Sequence, residues 1–224
     1  MKFTHIEVPE IREMTAEMVH GRRYYNTPEG KRYPSITTVL GAKGKDWLNN
    51  WRNMLGAEKA DKETQRCADR GTAIHDMIEK YLENEDEPTK GYSREHVGLF
   101  NQVRMRLNQN VNNIRIQEAP LYSDRLGVAG RVDCIGEYEG KLSVIDFKTS
   151  NGNKTSDMIE DYYLQCTAYA IMYYEMYGVL IEDIVIIMAV EKGMMPLVFK
   201  AQIYDYIDPL MERIDYYYDL IEKK

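Results

Sequence analysis

Two periodicities divide the chain. Apolar and polar positions alternate through residues 114–122, 127–138 and 142–148, which predicts three consecutive strands. Tyr138-Glu139-Gly140-Lys141 supplies a tight turn between the last two. A further strand pair is expected at 184–190 and 197–201. Elsewhere the apolar residues recur three and four apart, predicting helices over about 46–60, 62–82, 94–111, 158–177 and 205–222. In the first of these, Trp47, Trp51 and Leu55 form a stripe expected to be buried. In the second, Ile74, Ile78 and Tyr81 mark the apolar side, with Met77 at its border. Residues 1–34 read as short strands and turns. Their clearest feature is a hairpin from Arg22-Arg23-Tyr24-Tyr25 to Lys31-Arg32-Tyr33. Ser35 is placed to cap a short helix at 36–40.

The order of elements, helices then three strands, helix, strands and helix, predicts an α/β fold. Its centre is a mixed β-sheet flanked by helices, with a mainly helical N-terminal region. Residues 1–60 are expected to supply a hairpin and helices that arch over a site as a lid, and residues 61–224 the core, all in one compact unit. A chain of 224 residues with 44% hydrophobic content can bury such a core. No apolar run approaches the roughly 20 residues needed to cross a bilayer. The opening Met1-Lys2-Phe3-Thr4-His5-Ile6-Glu7 has no apolar signal core. A cytoplasmic protein without a targeting peptide is the expectation.

The strand at 141–150 carries the most pointed chemistry. Alternation puts Leu142, Val144, Asp146 and Lys148 on one face, so an acid and a base share the end of an apolar element. Charge there is costly unless it is paired or binds a metal. Asp133 lies thirteen positions earlier, in Gly130-Arg131-Val132-Asp133. Two carboxylates supply hard oxygens that suit Mg²⁺ or Mn²⁺. An ion pair at a strand end is the plain alternative for Asp146 and Lys148.

The net charge of −7 argues against general coating of nucleic acid, but not against a local basic channel. Eighteen tyrosines could offer stacking surfaces, although most are expected in the core or sheet. Cys67, Cys134 and Cys166 form no CxxC pair and read as buried or half-buried thiols. Three cysteines are too few for an all-cysteine iron–sulfur cluster, so none is expected.

Five motifs occur in order: Arg70-Gly71-Thr72-Ala73-Ile74-His75, Gln117-Glu118, Gly130-Arg131-Val132-Asp133, Asp146-Phe147-Lys148, and Gln165-Cys166-Thr167-Ala168-Tyr169. Together they resemble the PD-(D/E)xK nuclease superfamily, in particular its RecB-like branch. The stretches from Tyr33 to Leu40 and from Glu139 to Ser150 are similar to the mitochondrial genome maintenance exonuclease family and its phage-encoded relatives.

The resemblance implies a restriction-endonuclease-like core and a divalent metal. It implies that Asp133, Asp146, His75 and the backbone carbonyl of Phe147 are ligands, with Glu118 a further candidate. Lys148 would orient or deprotonate a water or stabilise a developing oxyanion. As a base it needs a pKa lowered toward neutrality. Gln165 and Tyr169 are one helical turn apart. Gln165 would be a catalytic-site hydrogen-bond partner for DNA or for a catalytic carboxylate, with Tyr169 its neighbour beside the scissile phosphate. A buried amide and a core tyrosine are the plain alternative. Arg131 is a candidate phosphate contact, and so are Lys43, Lys45 and Arg52 around Trp47 and Trp51. Glu79, one turn after His75, is read as a surface acid, with orientation of the imidazole as the alternative. Gly71 is read as permitting close approach of another backbone or of DNA.

The function expected on these grounds is metal-dependent exonucleolytic hydrolysis of single-stranded DNA in phage replication, recombination or processing. The alternatives are a structure-specific endonuclease and a non-cleaving DNA-binding protein on a nuclease fold. The chain has no GxxxxGK[ST] loop, so work on duplex ends would need a helicase or other partner.

Overall fold

The structure, a computed structural model, describes residues 2–223, and for residues 45–49 the backbone alone. The chain begins with a small antiparallel sheet of β1 (Thr15–Val19), β2 (Arg22–Asn26) and β3 (Arg32–Pro34). The hairpin expected at 22–33 is there as β2 and β3. A preceding strand, β1, joins it, and its five residues are exposed or half-buried, so no apolar alternation marks it.

Three helices follow: α1 (Ile36–Leu40), α2 (Lys45–Leu55) and α3 (Ala57–Leu82). Ser35 caps α1 by accepting the N–H of Thr38 at 3.1 Å. The α2–α3 break falls at Gly56, whose φ of +83° suits a residue without Cβ. The expected break near residue 61 is therefore displaced by one turn. The stripe expected to be buried on α2 is not part of the core: Trp51 is half-buried, Leu55 and Met54 are exposed, and the Trp47 side chain lies outside the described residues.

After α4 (Arg94–Asn110) come β4 (Val111–Ser123), β5 (Val128–Tyr138) and β6 (Lys141–Ser150). Then α5 (Glu160–Tyr177) crosses over to β7 (Asp183–Val190), followed by β8 (Leu197–Gln202) and α6 (Ile207–Glu222). The five-stranded sheet runs β4-β5-β6-β7-β8, antiparallel except for the parallel β6–β7 pair. A parallel neighbour needs a long connection, and α5 provides it. The β5–β6 turn places Glu139 and Gly140 at φ +52° and +78°, the tight hairpin geometry in which both central residues are left-handed.

Each face of the sheet has its own core. On one side α1, α5 and α6 cover it, with Ile36, Leu164, Tyr173 and Tyr217 almost wholly buried. On the other, α3 and α4 lay down Ile74, Met77, Ile78, Phe100 and Leu107 against Ile145, Phe147 and Ile187. Among the described residues no helix is long and apolar enough to cross a membrane.

Candidate active site

The site forms where the ladder between β5 and β6 ends. Their pairing runs from Tyr138↔Lys141 to Cys134↔Ile145. Beyond it the Asp133 carboxylate takes over, accepting the N–H of Phe147 at 2.8 Å. Across the other edge of β5, Glu118 sits in β4 with φ +43°, a backbone conformation costly for a residue with a side chain. The core-facing positions also change parity here, between Ile116 and Ala119 on β4 and between Val132 and Ile135 on β5. A local irregularity of this kind re-aims side chains, and the two acids stand at it.

α3 brings the third group. Its apolar side packs on β6, so His75 at the border of that side meets the end of the strand. His75 Nε2 donates to the Phe147 carbonyl at 2.8 Å. Its Nδ1 faces Glu118 Oε1 at 3.5 Å and Asp133 Oδ2 at 3.7 Å. One ligand atom from each of His75, Glu118 and Asp133 lies within 4.8 Å of the other two. Burial disfavours the imidazolium, but Asp133, then Glu118 and Asp146, outweigh it and push the His75 pKa up to about 9.

Val144 belongs to the α5-side core and Ile145 and Phe147 to the α3-side core, so alternation turns Asp146 and Lys148 toward α5. Asp146 is 1% exposed, and its carboxylate lies against the Lys148 ammonium as an ion pair. Neither Asp146 oxygen has an aligned hydrogen-bond donor among the described residues. Burial raises the Asp146 pKa, Lys148 opposes the rise, and Asp133 adds to it. Burial works to deprotonate Lys148, yet Asp146 and Asp133 prevail and raise its pKa. The lowered pKa that a lysine base requires is therefore not what this metal-free geometry gives, and Lys148 stands as a cation. Its Nζ is 5.1 Å from the ring centre of Tyr162.

Gln165 and Tyr169 on α5 are both buried, and Gln165 Nε2 donates to Tyr169 Oη at 3.1 Å. The Tyr169 ring lies against β5 where Gly130 has no side chain. A Cβ there would stand 2.7 Å from Tyr169 Cε1. Gln165, Tyr169, Glu118 and Asp133 line one cleft of about 220 Å³, whose opposite wall is Arg23, Tyr25 and Thr37. These last three were not singled out in the sequence as site residues. The signal available was a hairpin strand reading Arg-Arg-Tyr-Tyr, in which Arg23 and Tyr25 share a face.

The remaining candidates divide. Arg131 borders the cleft and its guanidinium meets the Glu118 carbonyl. Arg52 is committed to Asp61 at 2.6 Å, and Lys43 is exposed. The side chain of Lys45 lies outside the described residues. Glu79 is half-buried rather than on the surface, and burial and Glu118 raise its pKa. Gly71 has open space where a Cβ would be, so among the described residues nothing requires glycine there. Cys134 and Cys166 are buried and Cys67 is half-buried, all as free thiols.

The donor set is one imidazole nitrogen and several carboxylates, a hard-oxygen environment suited to Mg²⁺ or Mn²⁺. Three acids, Glu118, Asp133 and the buried Asp146, face two cationic groups, His75 and Lys148. The Asp146 oxygens lack an aligned donor although Lys148 offsets their charge, so these residues fit a divalent metal. The Phe147 carbonyl, expected as a ligand, accepts from His75 Nε2 and keeps a second lone pair, while His75 Nδ1 is the ring nitrogen that faces the two acids. The family model of the PD-(D/E)XK nuclease superfamily matches residues 50–186, from α2 into β7.

The chain belongs to the PD-(D/E)XK nuclease superfamily. Among curated proteins it is similar to mitochondrial genome maintenance exonuclease 1 of Mus musculus, 27% identical over 147 residues, which is 61% of this chain and 43% of that protein. The Homo sapiens protein of that name is 26% identical over 129 residues, 54% of this chain and 38% of the relative. The Xenopus tropicalis one is 28% identical over 147 residues, 61% and 42% respectively. The chain thus spans about two fifths of the length of the curated relatives it matches. For a PD-(D/E)XK nuclease, the five-stranded mixed sheet with helices on both faces is the expected core, and the acidic cluster stands where its strands diverge.

Proposed function

We propose that this PD-(D/E)XK nuclease is a Mg²⁺- or Mn²⁺-dependent exodeoxyribonuclease that hydrolyses single-stranded DNA from a free end. The observation that carries this reading is the clustering of His75, Glu118 and Asp133 at the cleft, beside the buried Asp146–Lys148 ion pair. In this reading His75, Glu118, Asp133 and Asp146 hold the metal. Once bound, the ion supplies positive charge against the phosphate and a more acidic water. In the reaction a water oxygen bonds to phosphorus, one P–O ester bond breaks, and the departing oxygen takes up a proton. Lys148, held as an ammonium, orients the water or offsets charge on the oxygens around phosphorus. Gln165 and Tyr169 position the nucleotide at the scissile bond.

The requirement for a free end rests on the similarity to the mitochondrial exonucleases. Residues 1–60 serve as the lid, with β2 and α1 forming one wall. A phage or bacterial cytoplasmic setting in DNA replication, recombination or processing fits this activity, with a helicase or similar partner supplying unpaired ends.

A time course on end-labelled single strands, with Mg²⁺, Mn²⁺ or EDTA, beside a closed circular strand, tests the reading. Metal-dependent loss of the linear strand with the circle intact is expected. A cut circle would favour the endonuclease alternative, and no cutting under any condition would remove the nuclease reading.

A further inference from the structure

A second cavity, of about 560 Å³, lies beside the candidate active site between the β1–β2 turn, α1 and the end of α6. Its lining is unusual for a chain of net charge −7. It is lined by Arg22 and Arg23 of β2, Thr37 and Thr38 of α1, and Tyr216 and Tyr217 of α6. No carboxylate lines it among the described residues. Neither arginine has an ion-pair partner among them, whereas Arg32 on the next strand is tied to Glu17 at 2.7 Å. The Arg22 guanidinium instead lies 5.8 Å from the ring centre of Tyr217. The Arg22 guanidinium, with threonine hydroxyls and aromatic rings around it, and Arg23, whose side chain alternates toward the acidic cleft, match the chemistry of a phosphodiester strand passing from one cavity to the other.

Its position matters as much as its chemistry. Arg23 and Thr37 line this cavity and also the cleft that holds Asp133, Glu118 and Gln165. The two cavities therefore share a wall. A strand with one phosphate at the acidic cluster has a basic continuation over α1, and other acids flank the cluster itself.

We propose that the Arg22–Arg23 cavity is a backbone-binding subsite for single-stranded DNA, holding phosphates next to the one that is cut. This rests on the nuclease reading and adds the path by which the strand reaches or leaves the site.

The test is equilibrium binding of a fluorescent single-stranded oligonucleotide in EDTA, measured across a salt series. Proteins compared are the wild type, an Arg22→Gln/Arg23→Gln double variant, and Met18→Glu. Met18 lines the same cavity, is 63% exposed, and can take a charge without loss of a core contact. The double variant should bind roughly tenfold more weakly, with a salt slope shallower by about 1 to 1.5. Met18→Glu should weaken binding in the same direction with an unchanged melting temperature, which separates a charge effect from misfolding. If the wild type binds and cuts the strand while both variants bind with its affinity and salt slope, the subsite is overturned and the nuclease reading stands. If the wild type neither binds nor cuts, both are overturned.

Discussion

Arg70 and His75 lie five positions apart on α3, and each heads a polar cluster at the end of β6, yet the clusters are built on opposite terms. Around Arg70 nearly every group has a partner. Its guanidinium donates to Thr149 Oγ1 at 3.2 Å, Asn151 Oδ1 at 2.7 Å and Glu191 Oε2 at 2.8 Å. Asn151 in turn donates to Glu63 at 2.8 Å, and Glu63 is held by Arg66. Around His75 the acids crowd together: Glu118 and Asp133 approach the imidazole only to 3.5 and 3.7 Å, and Asp146 is buried with Lys148 as its ion-pair partner but no aligned hydrogen-bond donor. A satisfied network fixes a fold, and a crowded, unsatisfied one stores the affinity for something not in the chain.

The largest effect expected from this contrast is on catalysis. Asp133→Asn and Asp146→Asn should each lower single-turnover cleavage by at least about 10²- to 10³-fold. Asp133→Asn should change the melting temperature of the metal-free protein little, because it removes repulsion from Asp146 together with attraction to His75 and Lys148, and still accepts from Phe147. On the Arg70 side the pattern should invert. Arg70→Met leaves Glu191 and Asn151 short of donors, and urea unfolding should show a loss of about 2–4 kcal/mol. Equal stability losses at the two clusters would break the comparison.

Metal should sharpen it. Mg²⁺ at 10 to 100 times its dissociation constant should stabilise the wild type by about 1–3 kcal/mol in thermal melts, and the Asp133→Asn variant by much less. The smallest effect is a pH dependence. Hydrogen bonds from Arg66, then Asn151, hold the Glu63 pKa at about 2, below its ordinary value. A depressed acid contributes stability above its unfolded pKa and loses it as pH falls through the folded one. The wild type should therefore lose stability relative to Glu63→Gln between pH of about 4.5 and 2, by about 1 kcal/mol once solvent screening is allowed for.

How much of this was legible in the sequence follows from how strongly each feature is written in side-chain pattern. β4 to β7 alternate Val, Ile and Leu with polar residues or run apolar throughout, so their limits were foreseen to within a few residues. Asp146 and Lys148 could be singled out because charge on an apolar element is conspicuous, whereas Asp133 and His75 stood out only through the motifs around them, Gly130-Arg131-Val132-Asp133 and Arg70-Gly71-Thr72-Ala73-Ile74-His75. β1 could not, since Thr15-Ala16-Glu17-Met18-Val19 buries almost nothing and is held by backbone pairing to β2. The stripe on α2 misled, because spacing reports an apolar face but not what covers it. The left-handed Glu118 and the engagement of the Phe147 carbonyl by His75 are backbone facts with no side-chain signature. The Arg22–Arg23 cavity depends on α6 returning to the hairpin from the far end of the chain, a contact that no local pattern encodes.

The most direct test of the central claim, that the His75 cluster is a metal site and the Arg70 cluster is not, is calorimetric titration with Mn²⁺. Wild type, Asp133→Asn and Glu63→Gln would be titrated under one condition. The wild type and Glu63→Gln should bind alike, and Asp133→Asn at least about tenfold more weakly. Binding by Asp133→Asn at wild-type affinity, or no binding by the wild type, would contradict the account.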